Sequence, residues 1–305
     1  MSAMNLPSVI LGDHGFMRRY GSTLPDAEVL RLMTYALGKG LPMLSGGDFR
    51  LPPLIVEAFL GHGSKPRWMM HMDAEIVLRG ANGFARAIAT LDQALLAQIG
   101  ERARADRIMG PFLKSFSAQR PLAAGDRRRV VLDMGVVEEQ CRTIIDRRPE
   151  VVTIGGDATD FLFACGRMDL LDCLIARATI AAEQAGTKVF LCSYIGFCWP
   201  EDFRALAKRH RVAGLMVPVN TAGHGMLPSA AAVRANLGAL ALPVVAMHAL
   251  AIGVLPLENA LRSVLDWPEI TAVVVGASTE GHIRDLAGFA RSVDADEGVT
   301  AHAAT

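Results

Sequence analysis

Short runs of Val, Ile, Leu and Met, apolar at nearly every position, alternate along the chain with longer segments that are apolar only at helical spacing. The runs are residues 9–12, 41–45, 68–73, 108–113, 151–155, 189–194, 215–220, 244–248 and 272–276, with 130–133 as a tenth. The helical segments are 26–38, 84–103, 137–147, 169–185, 200–210, 228–240, 256–265 and 280–291. Strands that are apolar on both sides belong to a parallel sheet covered on both faces. Strand–helix repetition with right-handed crossovers leaves two architectures, an open doubly wound sheet or a closed barrel. An open sheet gathers its polar strand ends at one switch point. Here nearly every run ends in a polar residue or glycine, so the pattern predicts an α/β fold, a (β/α)8 TIM barrel. Such a barrel needs eight strands, so one or two of the runs are expected to lie outside it. No linker-like composition divides the chain, which predicts one barrel domain over residues 1–292. The small, polar residues 293–305 are expected to fray.

Composition narrows the function classes. The 305 residues hold 31 basic and 31 acidic side chains, a formal net charge of zero. That balance offers no electrostatic footprint for nucleic acid or an anionic membrane. No apolar run is long enough to span a bilayer; the nearest, 239–257, is interrupted by Pro243, His248 and Pro256. Five cysteines without a CxxC pair read as reduced thiols. Together with a short, weakly charged start, they predict a cytoplasmic protein with a small-molecule substrate; a homo-oligomer stays open.

Over residues 213–293 three stretches stand out. They are Leu242-Pro-Val-Val-Ala-Met-His-Ala-Leu-Ala-Ile-Gly253, Leu257-Glu-Asn-Ala-Leu261 and Ile270-Thr-Ala-Val-Val-Val-Gly-Ala-Ser-Thr279. They resemble the C-terminal part of the aldo-keto reductase superfamily, where a strand enters a "PLA-x-G" turn and the last strand ends in Gly-Ala-Ser before a helix. Val9-Ile-Leu-Gly12 and Ala36-Leu-Gly-Lys-Gly-Leu-Pro-Met43 resemble the family's first strand and its next helix-to-strand step. The resemblance implies the family's barrel and, as cofactor, NADP at Gly276, Ala277, Ser278 and Thr279. The family's tetrad of Asp, Tyr, Lys and His is not retained. Ser45 and Arg50 stand where the Asp and Tyr fall, the third strand ends in Met72-Asp73, and the fourth ends near Lys114. Where the family has Arg and Glu-Asn beyond the last strand, this chain has His282 and Asp285-Leu286.

In such barrels the carboxyl ends of the strands build the working site. Reading them in order gives Asp13 and His14, Ser45 and Asp48, His71 and Asp73, Lys114, Asp157, Cys192 and Tyr194, Asn220 and His224, then His248. His71 and Asp73, two residues apart on one strand, share a face. They suit a histidine acid–base beside an orienting carboxylate, two metal ligands, or a buried pair closing the barrel top. His14, in Gly12-Asp-His-Gly15, and His248 are candidate partners, although no HxH or HExxH motif supports a metal. Tyr194 is the candidate phenolic proton donor, and Cys192 reads as a small buried hydrophobe. Asp13, Ser45, Asp48, Arg50, Lys114 and Asn220 are candidate substrate contacts. Free N–H groups after Gly276 suit an anion, as does the glycine-rich loop Asn220-Thr-Ala-Gly-His-Gly225.

These residues predict an enzyme that does not perform the family's reduction. The expected chemistry is acid–base work (lyase, isomerase, dehydratase or cyclase) on a small polar carbonyl or phosphorylated molecule. Two alternatives stand beside it: an NADPH-dependent reductase with a displaced donor, and a subunit that binds a nucleotide or partner without turnover.

Overall fold

The computed structural model describes residues 5–16, 24–46, 53–63, 66–72, 74, 76–78, 130–164 and 166–303. Eight parallel strands close into a barrel. In chain order they are β1 (Val9–Gly12), β2 (Met43–Ser45), β3 (Arg67–Met72), β6 (Val151–Gly155), β7 (Lys188–Cys192), β8 (Gly214–Pro218), β9 (Val244–Met247) and β10 (Ile270–Gly276). Around the barrel the order is β1-β10-β9-β8-β7-β6-β3-β2. The tenth candidate run is a strand but not a stave of the barrel. Val130–Leu132 (β5) pairs antiparallel with Ile76–Leu78 (β4) as a separate two-stranded ribbon. The 108–113 run lies outside the described residues, and the fourth barrel strand is β6, which pairs directly with β3. Among the described strands, the one beside β3 ends at Gly155, as the 151–155 run predicts.

Why these segments form strands is visible in what they cover. Ile10, Met43, Met69, Val151, Phe190, Met216, Val245 and Ala272 meet inside the barrel, while their neighbours Val9, Leu44, Met70, Val152 and Val273 pack outward under the helices. Both faces are buried, so no polar alternation survives. Phe190 needs room: a Cβ at Gly214 would fall 2.4 Å from its ring, which is why β8 opens on glycine.

Helices wrap the barrel. They are α1 (Asp26–Gly38), α2 (Pro53–Leu60), α3 (Met134–Arg147), α4 (Asp157–Ala164), α5 (Met168–Ala185), α6 (Pro200–Arg209), α7 (Ala230–Leu240), α8 (Leu257–Leu265) and α9 (Glu280–Ala303). The punctuation is local chemistry. Asp133 accepts from the Gly135 and Val136 amides at 2.9 and 3.3 Å to start α3, and Ser229 caps α7 through the Ala232 amide. Gly186 ends α5 at φ 72. The tail expected to fray from 293 is instead helical as far as Ala303, a continuation of α9. Among the described residues no helix is long and apolar enough to cross a membrane.

Candidate active site

The carboxyl ends of β1, β2, β3, β7, β9 and β10 border one cavity of about 620 Å3. It takes in side chains far apart in the chain: Asp13, Ser45, His71, Tyr194, His248 and Ser278 all line it. Two hydrogen-bonded pairs dominate its chemistry. Ser45 Oγ lies 2.8 Å from His71 Nε2, between adjacent strands β2 and β3. Tyr194 Oη lies 2.7 Å from His248 Nε2, their rings edge to face. Each pair joins a hydroxyl to an imidazole nitrogen, so a proton has a ready path between them. His71, Tyr194 and His248 are half-buried, whereas Ser45 and Asp13 are buried.

Backbone geometry sets these groups. Asp13 leaves β1 in a 3-10 turn (Asp13–Phe16), and its carboxylate lies against Gly46: a Cβ there would sit 2.0 Å from Asp13 Cγ. Gly46, at φ 130, is in backbone open only to glycine. Tyr194 lies beyond the end of β7, in a turn organised by Asp160 of α4. The buried Asp160 carboxylate accepts from Ser193 Oγ at 2.5 Å and from the Tyr194 amide at 3.0 Å. Ser193 Oγ in turn accepts from the amides of Ile195 and Gly196. His248 opens a loop of left-handed backbone, with φ 57 at His248, 46 at Ala251 and 59 at Ile252. Non-glycine residues held there cost on the order of 1 kcal/mol or more each, and such strain gathers at functional sites.

Of the residues the sequence singled out, the cavity brings together Asp13, Ser45, His71, Tyr194, His248, Gly276 and Ser278. His71 meets Ser45, and its expected pairing with Asp73 falls on a residue outside the described ones. Asp73, Asp48, Arg50 and Lys114 lie outside the described residues, and of His14 only the backbone, in the Asp13–Phe16 turn, is described. Asn220 is a correction: it is buried, does not line the cavity, and is spent on its own loop. Its amide donates to the His224 carbonyl at 2.8 Å and its Oδ1 accepts from the His224 amide at 2.9 Å. The Gly276–Thr279 segment divides. Gly276 and Ser278 face the cavity; Ala277 is buried against Gly15, where a Cβ would fall 2.5 Å from the Ala277 carbonyl; Thr279 caps α9 through the His282 amide.

Asp160 and Ser193 carry no signal in the sequence, because no motif spacing links a helix aspartate to a turn serine 33 residues on. Cys198 lies in the same neighbourhood, and burial, with the Asp160 charge behind it, pushes its thiol up to about 12. At pH 8 its alkylation by iodoacetamide is expected to run about 1,000-fold slower than that of an ordinary thiol. Peptide mass spectrometry of a timed labelling checks this; labelling at the rate of an exposed cysteine would contradict it.

Among the described residues no group of His, Cys, Asp and Glu is placed to hold a metal ion. The NADP implied by the resemblance asks for cations at its phosphates. Among the described lining residues there is no lysine or arginine, and Asp285 joins Asp13 on the wall. Among the described lining residues, then, none supplies a cation to a 2′-phosphate.

No protein-family model matches the chain, and no curated protein matches its sequence. Solved structures do. An aldo-keto reductase from Bacillus halodurans superposes with a TM-score of 0.54 at 12% identity, covering 92% of this chain and 86% of its own. A Pseudomonas aeruginosa protein assigned to the aldo-keto reductases gives 0.53 at 18%, over 93% and 89%. A glycerol dehydrogenase from Gluconobacter oxydans gives 0.50 at 14%, over 92% and 86%. What such distant likenesses share is the fold: the chain is an α/β TIM barrel of the aldo-keto-reductase-like kind.

Proposed function

We propose that this protein is an enzyme of acid–base chemistry, an isomerase, lyase, dehydratase or cyclase acting on a small polar carbonyl compound. One observation carries the reading: two hydroxyl–imidazole pairs, Ser45–His71 and Tyr194–His248, line the same cavity. Removing a proton beside a carbonyl needs a base at carbon and an acid at oxygen, and histidine and tyrosine are suited to both tasks. Pairs that merely closed the barrel top would be sealed from a ligand, whereas both histidines are half-exposed on the cavity wall. The volume is within the range of small-molecule sites, about 300–1,000 Å3. The mixed wall, with apolar Leu250 and Ile252 among its lining beside the polar pairs, is of the usual ligand-site kind. We place the enzyme in the cytoplasm, since Cys141, Cys173 and Cys198 form no disulfide.

The test is exchange of carbon-bound hydrogen. Purified protein is incubated in D2O with a panel of small ketones, aldehydes and hydroxycarbonyls, and the C–H signals beside the carbonyl are followed by NMR. Exchange above the buffer rate is expected for at least one member; none across the panel would sink the reading.

A second reading, reduction of a carbonyl with Tyr194 as proton donor, is favoured by one feature. The cavity runs on past the last strand to Gly276 and Ser278, where the resemblance implies a nicotinamide cofactor. Titration with NADH and NADPH, followed by nicotinamide fluorescence, separates the two; no change with either cofactor removes this reading.

A further inference from the structure

We infer that the cavity inverts a stereocentre beside the carbonyl of an uncharged polyhydroxy compound, taking the proton from one wall and returning one from the opposite wall. The inference rests on the acid–base reading above and adds its stereochemical course and substrate class. Its ground is the juxtaposition of the two pairs. His71 stands on β3 and His248 follows β9 by one residue. Around the closed barrel those strands are four steps apart in either direction, through β6, β7 and β8 or through β2, β1 and β10. Four steps is half the circumference of an eight-stranded barrel, so the two imidazoles face each other across the mouth. They border the same cavity, and each is tied to a different hydroxyl, His71 to Ser45 on the neighbouring strand and His248 to Tyr194 beyond the end of β7.

A planar intermediate lying between them presents one face to each wall. A single base returns the proton to the face it left, which preserves configuration. Two bases on opposite walls reach opposite faces, which inverts it. The steps balance without a co-reactant. The C–H bond breaks, its electron pair forms the C=C bond of an enediolate, and the carbonyl oxygen takes the charge. The proton ends on the imidazole of one pair. The other imidazole, protonated at the outset, gives its proton to the opposite face; the new C–H bond forms and the carbonyl is restored. No electron is gained or lost, and the two pairs exchange roles until water resets them.

The substrate class follows from the wall. Asp285, an exposed residue, lines the cavity, and among the described lining residues there is neither lysine nor arginine. Carboxylates accept hydrogen bonds from hydroxyls and repel phosphate and carboxylate groups. An unphosphorylated ketose or aldose fits that wall, and a sugar phosphate does not.

The experiment uses the whole protein in D2O with short unphosphorylated ketoses and aldoses and, beside them, hexose 6-phosphates. Epimer formation is read by chromatography and label by NMR. The expected result is an epimer deuterated at the inverted carbon, an unreacted substrate still protiated at low conversion, and much slower or absent turnover of the phosphates. His71→Ala and His248→Ala are each expected to stop epimerisation while keeping exchange from one epimer only, a different epimer for each variant. Deuterium entering the substrate with retained configuration and no epimer would overturn the two-wall course and leave the acid–base reading standing. Preference for the phosphates would overturn the substrate class. No exchange with any compound would overturn the acid–base reading and this inference with it.

Discussion

His71→Ala and His248→Gly each lower turnover by about 100- to 10,000-fold, the range that a positioned general acid or base supplies. The reason is the same on both walls. Alanine at 71 leaves Ser45 Oγ without the imidazole 2.8 Å away, and a serine hydroxyl alone is too weak a base to take a carbon-bound proton. Glycine at 248 strips Tyr194 of the imidazole nitrogen that lies 2.7 Å from its hydroxyl. Glycine is chosen there because the residue sits at φ 57, where it relieves strain, so lost activity is not a folding defect. Ser45→Ala and Tyr194→Phe, which keep the imidazoles, are expected to lose less. Kinetics of the four variants, beside circular dichroism melts, check this; a His71→Ala enzyme at wild-type rate removes the histidine from the chemistry.

Asp160→Ala is expected to cost about 3 kcal/mol, because two buried donors, Ser193 Oγ and the Tyr194 amide, lose their acceptor at once. For a chain of this size that is a fall in Tm of about 5 °C. Asp160 does not itself line the cavity; it positions Tyr194 by holding the turn that carries it. Turnover is therefore expected to fall as well. Asp160→Asn, with one carbonyl oxygen left to accept, is expected to recover part of both losses. Thermal melts and kcat measured on the same samples test the link. A destabilised Asp160→Ala that keeps full kcat would make the residue structural only. The same carboxylate charge helps keep Cys198 protonated, so one buried group shapes both the turn and its thiol.

Much of the barrel was legible along the chain. Both-face burial leaves strands such as Val9–Gly12 and Val151–Gly155 with no polar position, and that pattern needs no knowledge of partners. Val130–Leu132 has the same local composition yet joins a two-stranded ribbon with Ile76–Leu78, because an apolar run specifies extended backbone but not its neighbour. The 293–305 segment shows the opposite limit. Its small residues carry a weak pattern of their own, and the helix begun at Glu280 simply propagates through them to Ala303.

For the site, the sequence by itself placed His71, Tyr194 and His248 at or just beyond strand ends, since strand boundaries follow from hydrophobic period. His71, Tyr194 and His248 were identifiable on that ground alone. What only the tertiary structure decided was pairing. His71 meets Ser45 because β2 and β3 lie side by side, and Tyr194 meets His248 because the residues just beyond β7 and β9 border one cavity. Asn220 turns to its own loop, and Thr279 to its own helix, for the same reason. A hydrogen bond is a matter of a few tenths of an ångström, and barrel closure brings together atoms whose separation in the chain says nothing about that distance.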